Sequence, residues 1–407
     1  MDAISIAMLK LLACFIVIMV VIGVGLRIHW AGLIASILAI ILFRIPVAEI
    51  PGIVINTVFS RTMAYMLGVF YVVTFMQRLM EGRDMLHKSQ VNLDNVFHNR
   101  RINATVAPIL VGMLPSVAAA NIAADIVDES VGDNLTVPEK GFVTGFFRHI
   151  SEAFLPTYSN IIIMSKLCGV PLSQFVVGML PLVAILYVLG YLFYVRRIPR
   201  TWPDGRGSET TDSKLKEFLM IFVNLWPLVI VVIMILAFNI DVLVAAAIIC
   251  VAAFFVLKYK FSDLPKMLIN AFEPQMMITM VVLLIFTGFL TYTGVINQLP
   301  DFFQRFPLPP FVIFALVWFF GNWGGGGTAI LYAVTPIAFA AIPNSGWPLM
   351  VLLNSMGYAS LQVAPTHICY AVIADHFHIS MGQIYKKCLP VILIFIAVCF
   401  GYYMILV

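Results

Sequence analysis

Two apolar runs, residues 310–320 and 329–342, meet at the stretch Gly321-Asn322-Trp323-Gly324-Gly325-Gly326-Gly327-Thr328. Each run is too short to cross a bilayer, which takes about 20 apolar residues in a helix. Two half-length arms joined at a polar tip predict a re-entrant hairpin over about residues 308–342. Its tip carries non-helical backbone at membrane depth, which is tolerated only where protein buries it or a water-filled cavity borders it. Gly324, Gly325 and Gly326 let backbone amides and carbonyls approach a ligand closely, and Asn322 and Thr328 add side-chain donors and acceptors. The plainer alternative is a helix-packing glycine cluster, but packing motifs space small residues by four.

Composition sets the class around that hairpin. Of 407 residues, 62% are hydrophobic and 11% charged, and the mean hydropathy is +1.01. These values predict an all-α polytopic membrane protein. The net charge of +4 sits in loops, where orientation signals belong, and gives no nucleic-acid signature. All six cysteines lie in or beside apolar runs without a CxxC, so neither a disulfide framework nor a zinc site is indicated. The first run, residues 4–26, lacks an A-x-A cleavage site and reads as a retained span.

Along the chain, residues 4–26, 29–43 and 62–79 read as spans, with an amphipathic stretch at 47–59. A first hairpin is expected over about 103–131, with residues 115–121 as its tip, followed by a polar loop at 132–148. The next span, 151–167, is interrupted at Pro156-Thr157-Tyr158-Ser159-Asn160, and residues 174–195 close the half. Proline removes a backbone donor and clashes with the preceding turn, so the helix breaks there. Residues 196–217 form a polar linker. The order then recurs in 218–407: spans at 218–237 and 242–257, an amphipathic connector, a span at 276–295 and the glycine-tipped hairpin. A span interrupted at Ala364-Pro365-Thr366-His367 follows, and 384–407 is the last. The offset 365 − 156 = 209 also pairs Ser151 with Ser360, Thr157 with Thr366, Gln174 with Gln383 and Pro181 with Pro390.

Loop charge orients the halves. Arg78, Arg83, Arg100, Arg101, Lys140 and Arg148 fall on one face with Arg196, Arg197, Lys258, Lys386 and Lys387, leaving Arg44, Arg61 and Arg305 opposite. The positive-inside rule makes the first face cytoplasmic and both termini external. The fold expected is thus an inverted repeat of two five-span halves, residues 1–195 and 218–407, each with a re-entrant hairpin and a broken helix. Such architecture is typical of secondary transporters, with the binding site near the bilayer midplane.

Candidate site residues come from the four interruptions: Ser116, Asn121 and Asp125; Thr157, Ser159 and Asn160; Asn322, Gly324, Gly325, Gly326 and Thr328; Pro365, Thr366 and His367. Free helix N-termini suit a carboxylate and C-terminal carbonyls suit Na⁺, with a Na⁺ position expected near Asn121, Thr157, Asn322 and Thr366. For each hydroxyl or amide the alternative is a local hydrogen bond that heals the break. His367, as a lone membrane histidine, reads first as a packing residue. Asp125 is either an intramembrane acid or the start of a solvated acidic run with Asp128 and Glu129, and Glu152 carries the same ambiguity. No H-E-x-x-H, nucleophile elbow or phosphate-binding loop occurs, so neither an enzyme nor an ATP-driven pump is expected. No cofactor is called for beyond a coupling ion, Na⁺ or H⁺.

The paired Pro-Thr breaks at Pro156-Thr157 and Pro365-Thr366, with the two tips, resemble the ion transporter superfamily of secondary carriers. That group includes citrate and succinate carriers, gluconate and C4-dicarboxylate permeases and the large membrane subunit of TRAP transporters. Within it the chain looks most like a prokaryotic family of uncharacterised ten-span membrane proteins. Ser116 is followed by Val117, so the Ser-Asn-Thr tip of the citrate and succinate carriers is absent. The resemblance implies an elevator-type carrier in the cytoplasmic membrane, a homodimer, whose hairpins and broken helices move against a scaffold of the remaining spans. The expected function is secondary active transport of a small organic anion; a TRAP-like subunit dependent on a binding protein, or a channel or non-transporting scaffold, are the alternatives. If the halves are inverted, cysteines placed at Ser208 and at Asn344 react with impermeant maleimide from opposite sides of the membrane; labelling of both from one side contradicts the repeat.

Overall fold

The computed structural model describes residues 2–407 apart from 24–25, 86–87, 90, 93–98, 114–117, 203–213, 304, 306, 324–326 and 366. Among the described residues all regular structure is helical. The first half contains α1 (Ala3–Gly23), α2 (Ile28–Phe43), the short α3 (Ile50–Val58), α4 (Arg61–Glu81), α5 (Arg100–Val111), α6 (Ala118–Val131), α7 (Val137–Phe154), α8 (Ser159–Cys168) and α9 (Leu172–Phe193). The second contains α10 (Lys214–Asn224), α11 (Trp226–Phe238), α12 (Val242–Val256), the short α13 (Leu264–Ala271), α14 (Pro274–Tyr292), α15 (Leu299–Phe303), α16 (Pro310–Trp323), α17 (Gly327–Ala341), α18 (Gly346–Leu361), α19 (Ile368–His376) and α20 (Met381–Leu406).

Among the described residues four helices, α4, α9, α14 and α20, are long and apolar enough to cross a membrane, or five if the bent pair α10/α11 is one span. Their outward faces carry exposed apolar side chains such as Val177, Val188, Leu393 and Ile394. In water so much apolar surface would drive association, whereas hydrocarbon accepts it. The chain is a helical membrane protein.

Helix pairings in the first half have counterparts with the halves exchanged. Where α2 packs on α14, α4 packs on α12, and where α3 packs on α14, α13 packs on α4. The outer hairpin arm α5 lies on α7 as α16 lies on α18, and α9 lies on α7 as α20 lies on α18. The inner arm α6 meets α19 of the other half, as α17 meets α8.

Both hairpins form. Their arms, 12 and 14 residues in the first and 14 and 15 in the second, reach only about 18–23 Å at 1.5 Å per residue, short of a bilayer core. Arg100 closes the base of the first: its Nε and Nη2 donate to the Ser130 and Val131 carbonyls at 2.8 and 2.9 Å, capping the orphan C-terminal end of α6. Arg101 bolts the same base to the end of α9 through Ile198 O, Arg196 O and Tyr191 Oη. Glu139 joins α7 to this layer by ion pairs with Arg197 (3.0 Å) and Lys387 (3.3 Å).

Three expectations are corrected. The polar loop 132–148 is mostly helix, because Thr136 and Glu139 form a capping box, with Pro138 in the first turn of α7. Its glycines admit close neighbours: a Cβ on Gly145 would overlap the Tyr370 ring, and one on Gly141 would fall 2.9 Å from Ile384. Arg148 is therefore an interior residue and not a loop charge. The span expected at 218–237 is bent by 74° between α10 and α11. Pro227, near the start of α11, cannot donate to the preceding turn, and Leu225 leaves helical geometry with φ −103° and ψ 10°. Finally, Asn121 lies within α6, not in the first tip, because helix resumes at Ala118.

Candidate functional site

Both predicted breaks are present. At the first, α7 ends at Phe154, Leu155 turns extended (ψ 123°) as a residue before proline must, and α8 begins at Ser159. At the second, α18 ends at Leu361 and α19 begins at Ile368. The N-caps Tyr158 and His367 make no side-chain capping bond, so among the described residues both helices present first-turn amides without a side-chain acceptor.

These breaks and the second hairpin border one cavity of about 410 Å³. The first break supplies Glu152, Tyr158 and Asn160; the hairpin supplies Trp318, Asn322, Gly327 and Thr328; α18 and the second break supply Asn354, His367 and Cys369. Asn322 fits because two glycines make room. A Cβ on Gly357 would fall 2.9 Å from its Nδ2, and one on Gly327 would overlap its Oδ1. Four predicted residues, Asn160, Asn322, Thr328 and His367, are thus brought together.

The others lie elsewhere. Thr157 and Ser159 face a neighbouring cavity of about 240 Å³ shared with α4 and Glu273. Thr157 is buried, and its Oγ1 has no hydrogen-bond partner among the described residues. Asn121 and Asp125 are exposed on α6, and Asp125 Oδ1 stands 3.8 Å from His376 Nε2 of α19. Pro365 is exposed in the second break. Ser116, Gly324, Gly325, Gly326 and Thr366, and with Thr366 one corner of the expected Na⁺ position, lie outside the described residues.

Behind the cavity wall stands a charged cluster centred on Arg148, a residue expected in a loop. Arg148 Nη1 lies 3.5 Å from Glu152 Oε1, 3.2 Å from His149 Nε2 and 3.4 Å from Cys369 Sγ. His149 Nδ1 meets the Gly145 carbonyl at 2.5 Å, which fixes its Nε2 as the acceptor toward Arg148. His367 is not a lone histidine: its ring centroid is 4.6 Å from that of His149. Donor atoms of His149, His367 and Cys369 lie within 4.8 Å of one another, a spacing that can hold a metal ion. Here the cation beside two of them is the guanidinium itself, so the set reads as an arginine cradle. The missed signal was the apolar run at 141–147, which carries the helix back past Arg148. Just beyond it, Arg148 and Glu152 at i, i+4 on the same helix form an ion pair in the protein interior.

The sequence matches, over residues 5–406, the family described as "Protein of unknown function (DUF401)". The chain belongs to that family. A comparison with curated proteins returns no match.

An unsatisfied buried hydroxyl costs about 1–3 kcal/mol. Thr157→Val, which keeps shape and removes Oγ1, is therefore expected to leave the ligand-free melting temperature unchanged or raised in detergent. A drop of several degrees would show that the hydroxyl is structurally bonded and not held open for a ligand.

Proposed function

We propose that the protein is a secondary active transporter that moves a small organic anion, a carboxylate, across the cytoplasmic membrane by elevator-type alternating access. The observation that carries this reading is the 410 Å³ cavity bordered by two broken helices and a re-entrant hairpin. Its size lies in the range of small-molecule sites. Two helix N-termini without a capping bond from the N-cap side chain, at Ser159 and Ile368, give it partial positive charge, and Asn160, Asn322, Asn354 and Thr328 give it neutral polar groups. The exchanged pairings support two structurally equivalent halves, and the loop charge supports their inverted orientation. In this reading α2, α4, α12 and α14, which pack across the halves, form the scaffold of a homodimer. The hairpins and broken helices form the moving part, driven by Na⁺ or H⁺.

Reconstituting this chain alone in liposomes tests the proposal. Under an imposed Na⁺ or H⁺ gradient it is expected to accumulate a labelled carboxylate above the external concentration. Uptake that only equilibrates would favour a channel, and uptake requiring an added binding protein would favour a TRAP-like subunit. Asn322→Ala should weaken saturable uptake about tenfold, equivalent to about 1.4 kcal/mol.

A further inference from the structure

Arg148 and Glu152 stand one turn apart on α7, immediately before the Pro156 break. The guanidinium is enclosed, at 1% side-chain exposure, whereas Glu152 is 21% exposed and forms part of the cavity wall. The carboxylate thus stands between the buried cation and the space a ligand would enter. The same Arg148 Nη1 also meets His149 Nε2 and Cys369 Sγ, acceptors that orient it.

We propose that Glu152 is a built-in stand-in for the carboxylate of the transported anion. On binding, the substrate carboxylate takes its place against Arg148, and Glu152 leaves the pair carrying one proton. This rests on the carboxylate-carrier reading above and specifies its coupling ion as H⁺.

The argument is one of charge. A guanidinium keeps its proton under all ordinary conditions, so the site always holds one cation. With Glu152 and the substrate both ionised, two anions would share that cation away from water, which disfavours the charged form of one of them. Protonation of Glu152 relieves this. A proton from water in the cavity bonds to a Glu152 oxygen, and the substrate carboxylate accepts the Arg148 N–H groups, whose planar fork matches it. Release runs in reverse: the substrate leaves, Glu152 returns its proton to water and pairs again. The cluster keeps the same net charge empty and loaded, so in neither state does an unpaired charge sit within the membrane. The charged and titratable groups facing Glu152 are Arg148, His149, Tyr158, Tyr358, His367 and Cys369. A proton on His149 Nε2 would confront Arg148 at 3.2 Å, which leaves His367 as the rival acceptor.

The test uses the purified full-length protein. Acetate, lactate, succinate and citrate are screened by thermal shift, and the tightest is titrated across a pH series. In the parent, affinity is expected to weaken about tenfold per pH unit once Glu152 titrates, the slope of one-proton linkage. In weakly buffered solution an indicator dye should record close to one proton taken up per carboxylate bound. Glu152→Gln, a permanent mimic of the protonated acid, should bind without pH dependence at the parent's low-pH affinity, and His367→Gln should keep the parent slope. Binding by the parent without proton uptake overturns the inference and leaves the carrier reading standing. So does retention of the slope in Glu152→Gln, or its loss in His367→Gln. If Glu152→Gln does not fold, the proton count on the parent decides alone. If no carboxylate stabilises the parent at any pH, this inference and the carboxylate reading fall together.

Discussion

Inside a bilayer every backbone N–H and C=O freed from a helix needs a partner from elsewhere in the protein, and this constraint organises the whole molecule. Pro156 and Pro365 each stop a helix in the interior, and the carbonyls left behind are taken up by side chains from other elements. Asn354 on α18 donates to Ala153 O at 2.8 Å across the first break. Tyr385 on α20 donates to Ala364 O at 2.6 Å at the second, and Ser360 on α18 donates to Phe319 O at 2.6 Å in the hairpin arm. Tyr158, at the first break, reaches the Gly112 carbonyl at the end of α5. Breaks and hairpins therefore hold one another in place. A Cβ on Gly112 would overlap the Arg148 carbonyl, so even the close approach of α5 to α7 has little slack.

What is not healed is equally informative. Among the described residues the first turns of α8 and α19 have no side-chain cap, and Thr157 Oγ1 is buried without a partner. Leaving such groups unsatisfied costs stability, and they gather around two adjoining cavities. Arg148 follows the same logic with a full charge. At its Nη1 the buried guanidinium meets Glu152, His149 and Cys369 together. Removing the partner of a buried ion pair typically costs about 3–5 kcal/mol. An interior arranged this way is balanced around exchangeable partners more than it is maximally stable.

Much of this was legible in the sequence for physical reasons. Proline cannot continue a helix, so Pro156 and Pro365 marked both breaks, and two half-length apolar runs about a glycine tip marked the second hairpin. The errors share a cause as well. Arg148 was placed in a loop because charge was taken to mean solvent, although its run of phenylalanines and glycines is helical and its i+4 partner Glu152 neutralises it. Asn121 was set in a tip because a polar residue after a run of small residues looks like a turn, while alanine's helix preference carries α6 back to Ala118. The Asn354 contribution could not have been read at all. It depends on α18 crossing the first break, a tertiary contact with no local signature.

The central claim is that both helix breaks and the second hairpin close on one ligand. Hydrogen–deuterium exchange on the purified protein, with and without a bound carboxylate, tests it most directly. Protection is expected at three separated places in the chain: the start of α8 at Ser159–Ile163, the start of α19 at Ile368–Val372, and the hairpin around Asn322 and Thr328. Protection confined to the scaffold helices or to the first hairpin, with none at the two breaks, would contradict the account.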